Sequence, residues 1–123
     1  FIHFAATHRG ATLYIDRAQI EQVLINLIKN AKESCGQNTA PQIEVELEQV
    51  PGKVCSLTVR DNGEGILPEV IDKVFVPFFT TKPSGSGIGL SLCKQIMNLH
   101  GGTITVSSEI GKGSCFTLMF PGR

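Results

Sequence analysis

Ile20, Val23, Leu24, Leu27, Ile28 and Ala31 recur at helical spacing along one segment. A stripe of that kind has to be buried against another layer of structure. Asp16 fits the N-cap of this helix, and Gly36 and Asn38 are expected to end it. A second apolar helical pattern runs over Ile88–Leu99 and is stopped by Gly101 and Gly102. The segments around the two helices alternate instead. "QIEVELEQV" and "VCSLTVRD", joined by "PGK", read as a hairpin of half-buried strands, and "TITVSSE" and "SCFTLMF", joined by "IGKG", as another. "FIHFAATHRGATLYI" reads as two short strands separated at Arg9-Gly10, with Tyr14 and Ile15 closing the second. The expected fold class is therefore α+β: a two-layer sandwich with a mixed, mostly antiparallel sheet of about five strands. About three helices cover one face of it.

One segment does not fit this frame. "NGEGILPEVIDKVFVPFFTTKPSGSG" is rich in Gly, Pro, Thr and Phe, and only "LPEVIDKVF" within it could form a short helix. Irregular stretches this long are commonly functional lids or disordered. Its place between two glycine motifs favours a lid, over about residues 66–86.

With 123 residues, 41% of them hydrophobic and 18% charged, the chain reads as one domain spanning 1–123. The first residues already read as strand, so a domain excised from a longer protein is expected. Eleven basic and eleven acidic side chains cancel. That balance argues against nucleic acid or a membrane surface as a partner, since either calls for a basic excess. No apolar run approaches a bilayer span. Cys35, Cys55, Cys93 and Cys115 are unevenly spaced without a C-x-x-C pair, so they read as buried free thiols in a reducing compartment rather than zinc ligands or disulfides. His3, His8 and His100 form no ligand spacing.

Three stretches carry chemistry. In "EQVLINLIKNAKES", Asn26, Asn30 and Glu33 share one flank beside the apolar stripe, with Gln19 and Gln22 on the same side. Asparagine is a mediocre helix former. Two of them at this spacing either hydrogen-bond across the fold or offer amide oxygens to Mg2+, an ion that prefers oxygen ligands and keeps water and phosphate in its shell. In "RDNGEGI", Asp61 ends a strand, and Gly63 and Gly65 permit backbone conformations closed to other residues. The stretch lacks the ligand register of a calcium loop. A plain turn or a carboxylate accepting from an exocyclic amino group would each explain it. In "GSGIGLSL", Gly85, Gly87 and Gly89 precede a helix whose exposed N–H groups could cradle phosphate. Neither a Rossmann fingerprint nor a P-loop is present, because Leu90 and Leu92 stand at the third-glycine positions and Lys112 is followed by Gly113.

Taken in order, "NLIKNA", "DNGEG", "VFVPFFTTK", "GSGIGLSL" and "GKGSCF" resemble the ATP-binding catalytic domain of sensor histidine kinases. That domain belongs to a superfamily shared with gyrase, heat-shock chaperone ATPases and mismatch-repair proteins, and the resemblance covers essentially the whole chain. It implies that Asn30 binds Mg2+ with Asn26 beside the triphosphate. It also implies that Asp61 accepts from the adenine amino group while Gly63 and Gly65 let the base approach. Phe75, Phe78 and Phe79 match the phenylalanine box, with core packing an equal reading for Phe75. Thr80, Thr81 and Lys82 lie where a lid reaches phosphate. Gly85, Gly87 and Gly89 match the second glycine box, and Ser114 stands where a threonine hydroxyl usually helps hold adenine. Further nucleotide contacts are implied at Ile66, Ser86, Ile88 and Leu90.

One position separates the classes within that superfamily. Members that hydrolyse ATP carry, one turn before the metal asparagine, a glutamate that activates water. Here that place is Asn26, and an amide takes no proton at neutral pH. Glu21 lies about 140° around the helix from it. The resemblance therefore implies a protein-histidine kinase that donates the γ-phosphate of Mg·ATP to a histidine on its own dimerisation domain. A response-regulator receiver domain is the indirect partner. The resemblance also implies a cytoplasmic domain with no membrane contact of its own, whether or not the parent protein is anchored in the inner membrane. His3, His8 and His100 are followed by Phe4, Arg9 and Gly101 rather than the acidic residue that follows the usual phosphoacceptor. Glu33 departs from the basic residue that some members carry three positions after the metal asparagine. A non-catalytic nucleotide-binding module, an ATP hydrolase and an anti-sigma serine kinase remain as alternatives.

Overall fold

The computed structural model describes residues 2–6, 15–36, 39–49, 55–79 and 89–121, with the backbone alone for 2–6 and 49. The elements run β1 (Ile2–Ala6), α1 (Arg17–Ser34), β2 (Ile43–Gln49), β3 (Cys55–Asp61), α2 (Pro68–Ile71), α3 (Gly89–Leu99), β4 (Thr103–Glu109) and β5 (Gly113–Phe120). Five strands form one sheet in the order β1-β2-β3-β5-β4, antiparallel except for the parallel pair β1–β2. This is the expected mixed sheet. Of the second expected strand near the start, residues 11–14 lie outside the described residues, and Ile15 lies outside any strand.

Strand alternation sorts the sheet into two faces. Ile43, Val45, Val59, Ile104, Phe116, Leu118 and Phe120 are buried on one. Against them pack Ile20, Val23, Leu27 and Ala31 of α1 and Cys93, Ile96 and Met97 of α3. Each large apolar side chain buried this way contributes about 1.5–3 kcal/mol. The other face carries Glu44, Thr58, Arg60, Thr105, Ser107 and Thr117 and has no helix among the described residues.

Helix α3 is tied to α1 at both of its ends. Asp16 caps α1, its Oδ1 accepting from the Gln19 N–H at 3.1 Å, which is worth about 1 kcal/mol. The Asp16 N–H in turn donates to His100 Nε2 at 2.9 Å, just beyond the end of α3. Since Nε2 accepts, the ring hydrogen sits on Nδ1, which donates to the Ile96 carbonyl at 2.8 Å. The start of α1 thus meets the end of α3, and the Asn26 region of α1 meets the start of α3. Helix α1 ends at Ser34 with Cys35 as its C-cap, slightly before the expected glycine. No helix among the described residues is long and apolar enough to cross a membrane.

Candidate functional site

The flank of α1 leads from one candidate segment to another. At its upstream end, the half-buried Asn26 donates through Nδ2 to the Gly89 carbonyl in the first turn of α3, at 3.4 Å. The same group lies 3.8 Å from Cys93 Sγ. A carbonyl can only accept, so the amide nitrogen must face α3. Its oxygen then faces Gln22, whose Nε2 donates to it at 3.0 Å. Eight residues on, about 12 Å along the axis, the Ser34 carbonyl accepts from the Glu64 N–H at 3.2 Å. Asn30 lies midway, half-buried. Glu21 is on the exposed side, held by Arg17 at 2.8 Å, and so does not substitute for Asn26.

The second cluster is buried at the end of the sheet. Asp61 and Ser114 face each other in the β3–β5 register, 6% and 5% exposed. Asp61 Oδ1 accepts from the Gly63 N–H at 2.9 Å and the Ser114 N–H at 3.3 Å. A buried carboxylate needs such partners. Glycines let the surrounding backbone close in. A Cβ on Gly65 (φ +81°) would strike the Glu109 carbonyl, and one on Gly113 (φ +131°) would overlap the Asp61 carbonyl. A Cβ on Gly63 would meet the Ser34 backbone. Protein contacts alone therefore account for these three glycines.

Two neighbours escaped the sequence reading. Asn62 ties the turn after Asp61 to the chain ahead of β2. Its Oδ1 accepts from the Gln42 N–H at 2.8 Å and the Cys35 thiol at 3.5 Å, and its Nδ2 donates to the Ala40 carbonyl at 2.9 Å. Ser108 accepts the Ile66 N–H at 2.7 Å and contacts Ser114 Oγ at 3.1 Å. Parity was the available signal for Ser108, which shares a strand face with Ile104 and Val106. For Asn62 there was none, since its partners come from distant chain.

Burial governs the thiols here. It raises the pKa of Cys93 from the ordinary 9.0 to about 11, with the Asn26 hydrogen bond pulling the other way. Burial, then the charge of Asp61, also pushes the Cys35 thiol up.

Phe75, beyond α2, packs edge-on against Phe116 at 6.2 Å, with the Lys94 ammonium 5.5 Å from its ring centre. The core reading of Phe75 therefore holds. Phe78 is 75% exposed with φ +68°, unusual for a bulky residue. Ile66, Phe79 and Leu90 are half-buried, and Gly89 is exposed. Thr80, Thr81, Lys82, Gly85, Ser86, Gly87 and Ile88 lie outside the described residues.

The sequence profile of the family described as histidine kinase-, DNA gyrase B-, and HSP90-like ATPase matches residues 15–123. The chain belongs to this family. Within the family its likeness is to sensor histidine kinases. It is 38% identical over 120 residues to the sensor histidine kinase ZraS of Escherichia coli, covering 98% of this chain and 25% of ZraS. The chain thus spans about a quarter of the length of the first curated relatives it matches. Among solved structures, the nucleotide-free catalytic domain of histidine kinase ThkA superposes with a TM-score of 0.86 at 34% identity, over 98% of this chain and 79% of that one. ThkA in complex with the response regulator protein TrrA gives 0.81 at 32% identity, over 99% of this chain and 34% of ThkA.

Proposed function

We propose that residues 1–123 form the ATP-binding domain of a two-component sensor histidine kinase. It holds Mg·ATP and presents the γ-phosphate to a histidine on a separate dimerisation domain, from which a response regulator is charged. The observation that carries the kinase reading is Asn26. At the place where hydrolases put a proton acceptor stands an amide engaged by Gln22 on one side and Gly89 on the other.

The donor set suits this substrate. No group of three or more His, Cys, Asp or Glu among the described residues could hold a metal by itself. The Asn30 amide instead offers one neutral oxygen, matching an ion that takes the rest of its shell from phosphate and water. Bound there, Mg2+ would neutralise phosphate charge. Asp61 and Ser114 would receive the adenine edge. The first turn of α3, with Gly89 and Leu90, has N–H groups suited to phosphate. Residues of the span 66–86, among them Ile66, Phe79, Thr80, Thr81, Lys82, Gly85 and Ser86, together with Gly87 and Ile88, would close over the nucleotide, with Lys82 offsetting Glu33 near the phosphates.

Phosphoryl transfer needs in-line positioning and charge neutralisation more than covalent help from the protein. The nucleophile must come from outside. Both ring nitrogens of His100 are engaged, with Asp16 and with Ile96, and His3 and His8 lack the acidic neighbour of the usual acceptor.

The test supplies the chain with γ-labelled Mg·ATP and the dimerisation domain of its parent protein. Label should move to a histidine, giving an acid-labile, alkali-stable phosphoramidate, and none should move without the acceptor. Steady phosphate release in the absence of acceptor, or label on a hydroxyl residue, would overturn the reading.

A further inference from the structure

Ser108, Ser114 and Asp61 form one row across three strands. Ser108 faces Ser114 in the β4–β5 register, and Ser114 faces Asp61 in the β3–β5 register. All three lie on the face that carries Val106, Phe116 and Val59, at the end of the sheet. Polar side chains there interrupt an otherwise apolar surface, so their hydrogens have to be accounted for.

The hydroxyl of Ser108 touches three groups: the Ile66 N–H at 2.7 Å, the Gly113 carbonyl at 3.0 Å and Ser114 Oγ at 3.1 Å. A serine hydroxyl has one hydrogen and two lone pairs. The Ile66 N–H can only donate, so it takes a lone pair. The Gly113 carbonyl can only accept, so it takes the hydrogen. For the third contact Ser108 has only a lone pair left, and Ser114 must be the donor. The Ser114 hydrogen is thereby turned along the row toward β4, away from Asp61. The remaining face of its oxygen is lone pairs. Asp61 Oδ1 already accepts two backbone N–H groups, so the carboxylate is an acceptor as well.

We infer that Ser108 is a positioning residue for base selection. By taking the Ser114 hydrogen it makes Ser114 and Asp61 an edge of acceptors, which suits the exocyclic amino group of adenine and repels a 6-oxo purine. This rests on the nucleotide-binding reading above. It explains why a serine stands at a position whose strand neighbours on the same face, Ile104 and Val106, are apolar. Without Ser108 the Ser114 hydroxyl could rotate and donate to a 6-oxo group, lowering the barrier against it.

Calorimetric titration of ATP and its 6-oxo analogue, inosine triphosphate, into the wild type and variants tests this. The wild type should prefer ATP. Ser108→Ala should narrow the ATP-to-inosine ratio about fivefold, the worth of one neutral hydrogen bond. Ser114→Ala should narrow it similarly, and adding Ser108→Ala to Ser114→Ala should change the ratio no further, because the two hydroxyls act as one unit. Ser108→Thr, which keeps the hydroxyl, should retain the wild-type ratio. Ser108→Cys, a weak donor of nearly the same shape, should narrow the ratio in the same direction and replaces the alanine variant if that fails to fold. Equal loss of both nucleotides in Ser108→Ala, or independent effects in the double variant, would overturn the inference while leaving the function intact. A wild type that binds neither nucleotide would overturn both.

Discussion

The two ends of the α1 flank are built by different means. At the Ser34 end the contacts are mostly backbone. Glu64 N–H donates to the Ser34 carbonyl, Gly111 N–H to the Glu64 carbonyl at 3.0 Å, and Gly63 and Ser114 N–H to a buried carboxylate. At the Asn26 end the contacts are side-chain amides on a half-exposed helix face, with Gln22 reaching Asn26 and Asn26 reaching Gly89. Burial is the cause of the difference. A polar group shut away from water must find its partner inside the protein, whereas one at the surface can exchange a water for a ligand at little cost. On the proposed nucleotide-binding reading, the Ser34 end is a base end built into the sheet, and the Asn26 end is a phosphate end left for its ligand to complete.

The largest test breaks the built end. Gly113→Ala should cost more than about 4 kcal/mol, because it sets a Cβ into the Asp61 carbonyl and forces a φ of +131° on an alanine. That approaches the whole stability of a typical domain. Gly111→Ala, two residues earlier, separates the causes. Its φ is +81°, but no atom lies within 4 Å of the added Cβ, so only the backbone penalty of about 1–2 kcal/mol applies. Urea denaturation of the two variants should give clearly unequal losses. Similar losses would mean that the close approach of β5 to Asp61 does not hold the base end together.

The same contrast explains what the sequence disclosed. Periodicity is local, so α1, α3 and the strands from β2 to β5 were legible from spacing alone. Asn26, Asn30, Asp61 and Ser114 stood out as candidates because each stands in a short motif of distinctive residues. The parallel pairing of β1 with β2 was not, since its partner is set by tertiary packing rather than by a hairpin. Asn62 and Ser108 stayed hidden because their work lies between segments remote in sequence: Asn62 reaches Ala40, Gln42 and Cys35, and Ser108 reaches Ile66. Gly63 and Gly65 were legible as special from their place after Asp61, and the structure adds a protein contact for each missing Cβ.

Alkali probes what lies beneath the phosphate end. Cys93 is buried under Asn26, and its thiol pKa stands at about 11 against an ordinary 9.0. Between those values the unfolded chain has released the proton and the folded one still holds it. Stability is therefore present in full below about pH 9 and falls as pH rises toward 11. The loss should reach about 2–3 kcal/mol from this group, with Cys35 and Cys55, also raised by burial, adding in the same sense. Chemical denaturation at several pH values measures it. Cys93→Ala should flatten the slope, and an unchanged slope would show that the thiol is not sheltered beneath Asn26.

The smallest effect is the most informative about the open end. Asn30→Ala removes the amide oxygen assigned to Mg2+ but replaces a mediocre helix former with the best one. The helical gain and the loss of the amide's own contacts oppose each other, and the net change in stability should stay within about 1 kcal/mol. The gain in ATP affinity produced by Mg2+ should fall about tenfold, as for loss of a group that orients a metal, while metal-free ATP binding changes little. Titrations with and without Mg2+, alongside one denaturation curve, read both quantities. A variant that loses stability and metal-free binding together would place Asn30 in the built end instead, and the division between a preformed base site and a ligand-completed phosphate site would fail at its midpoint.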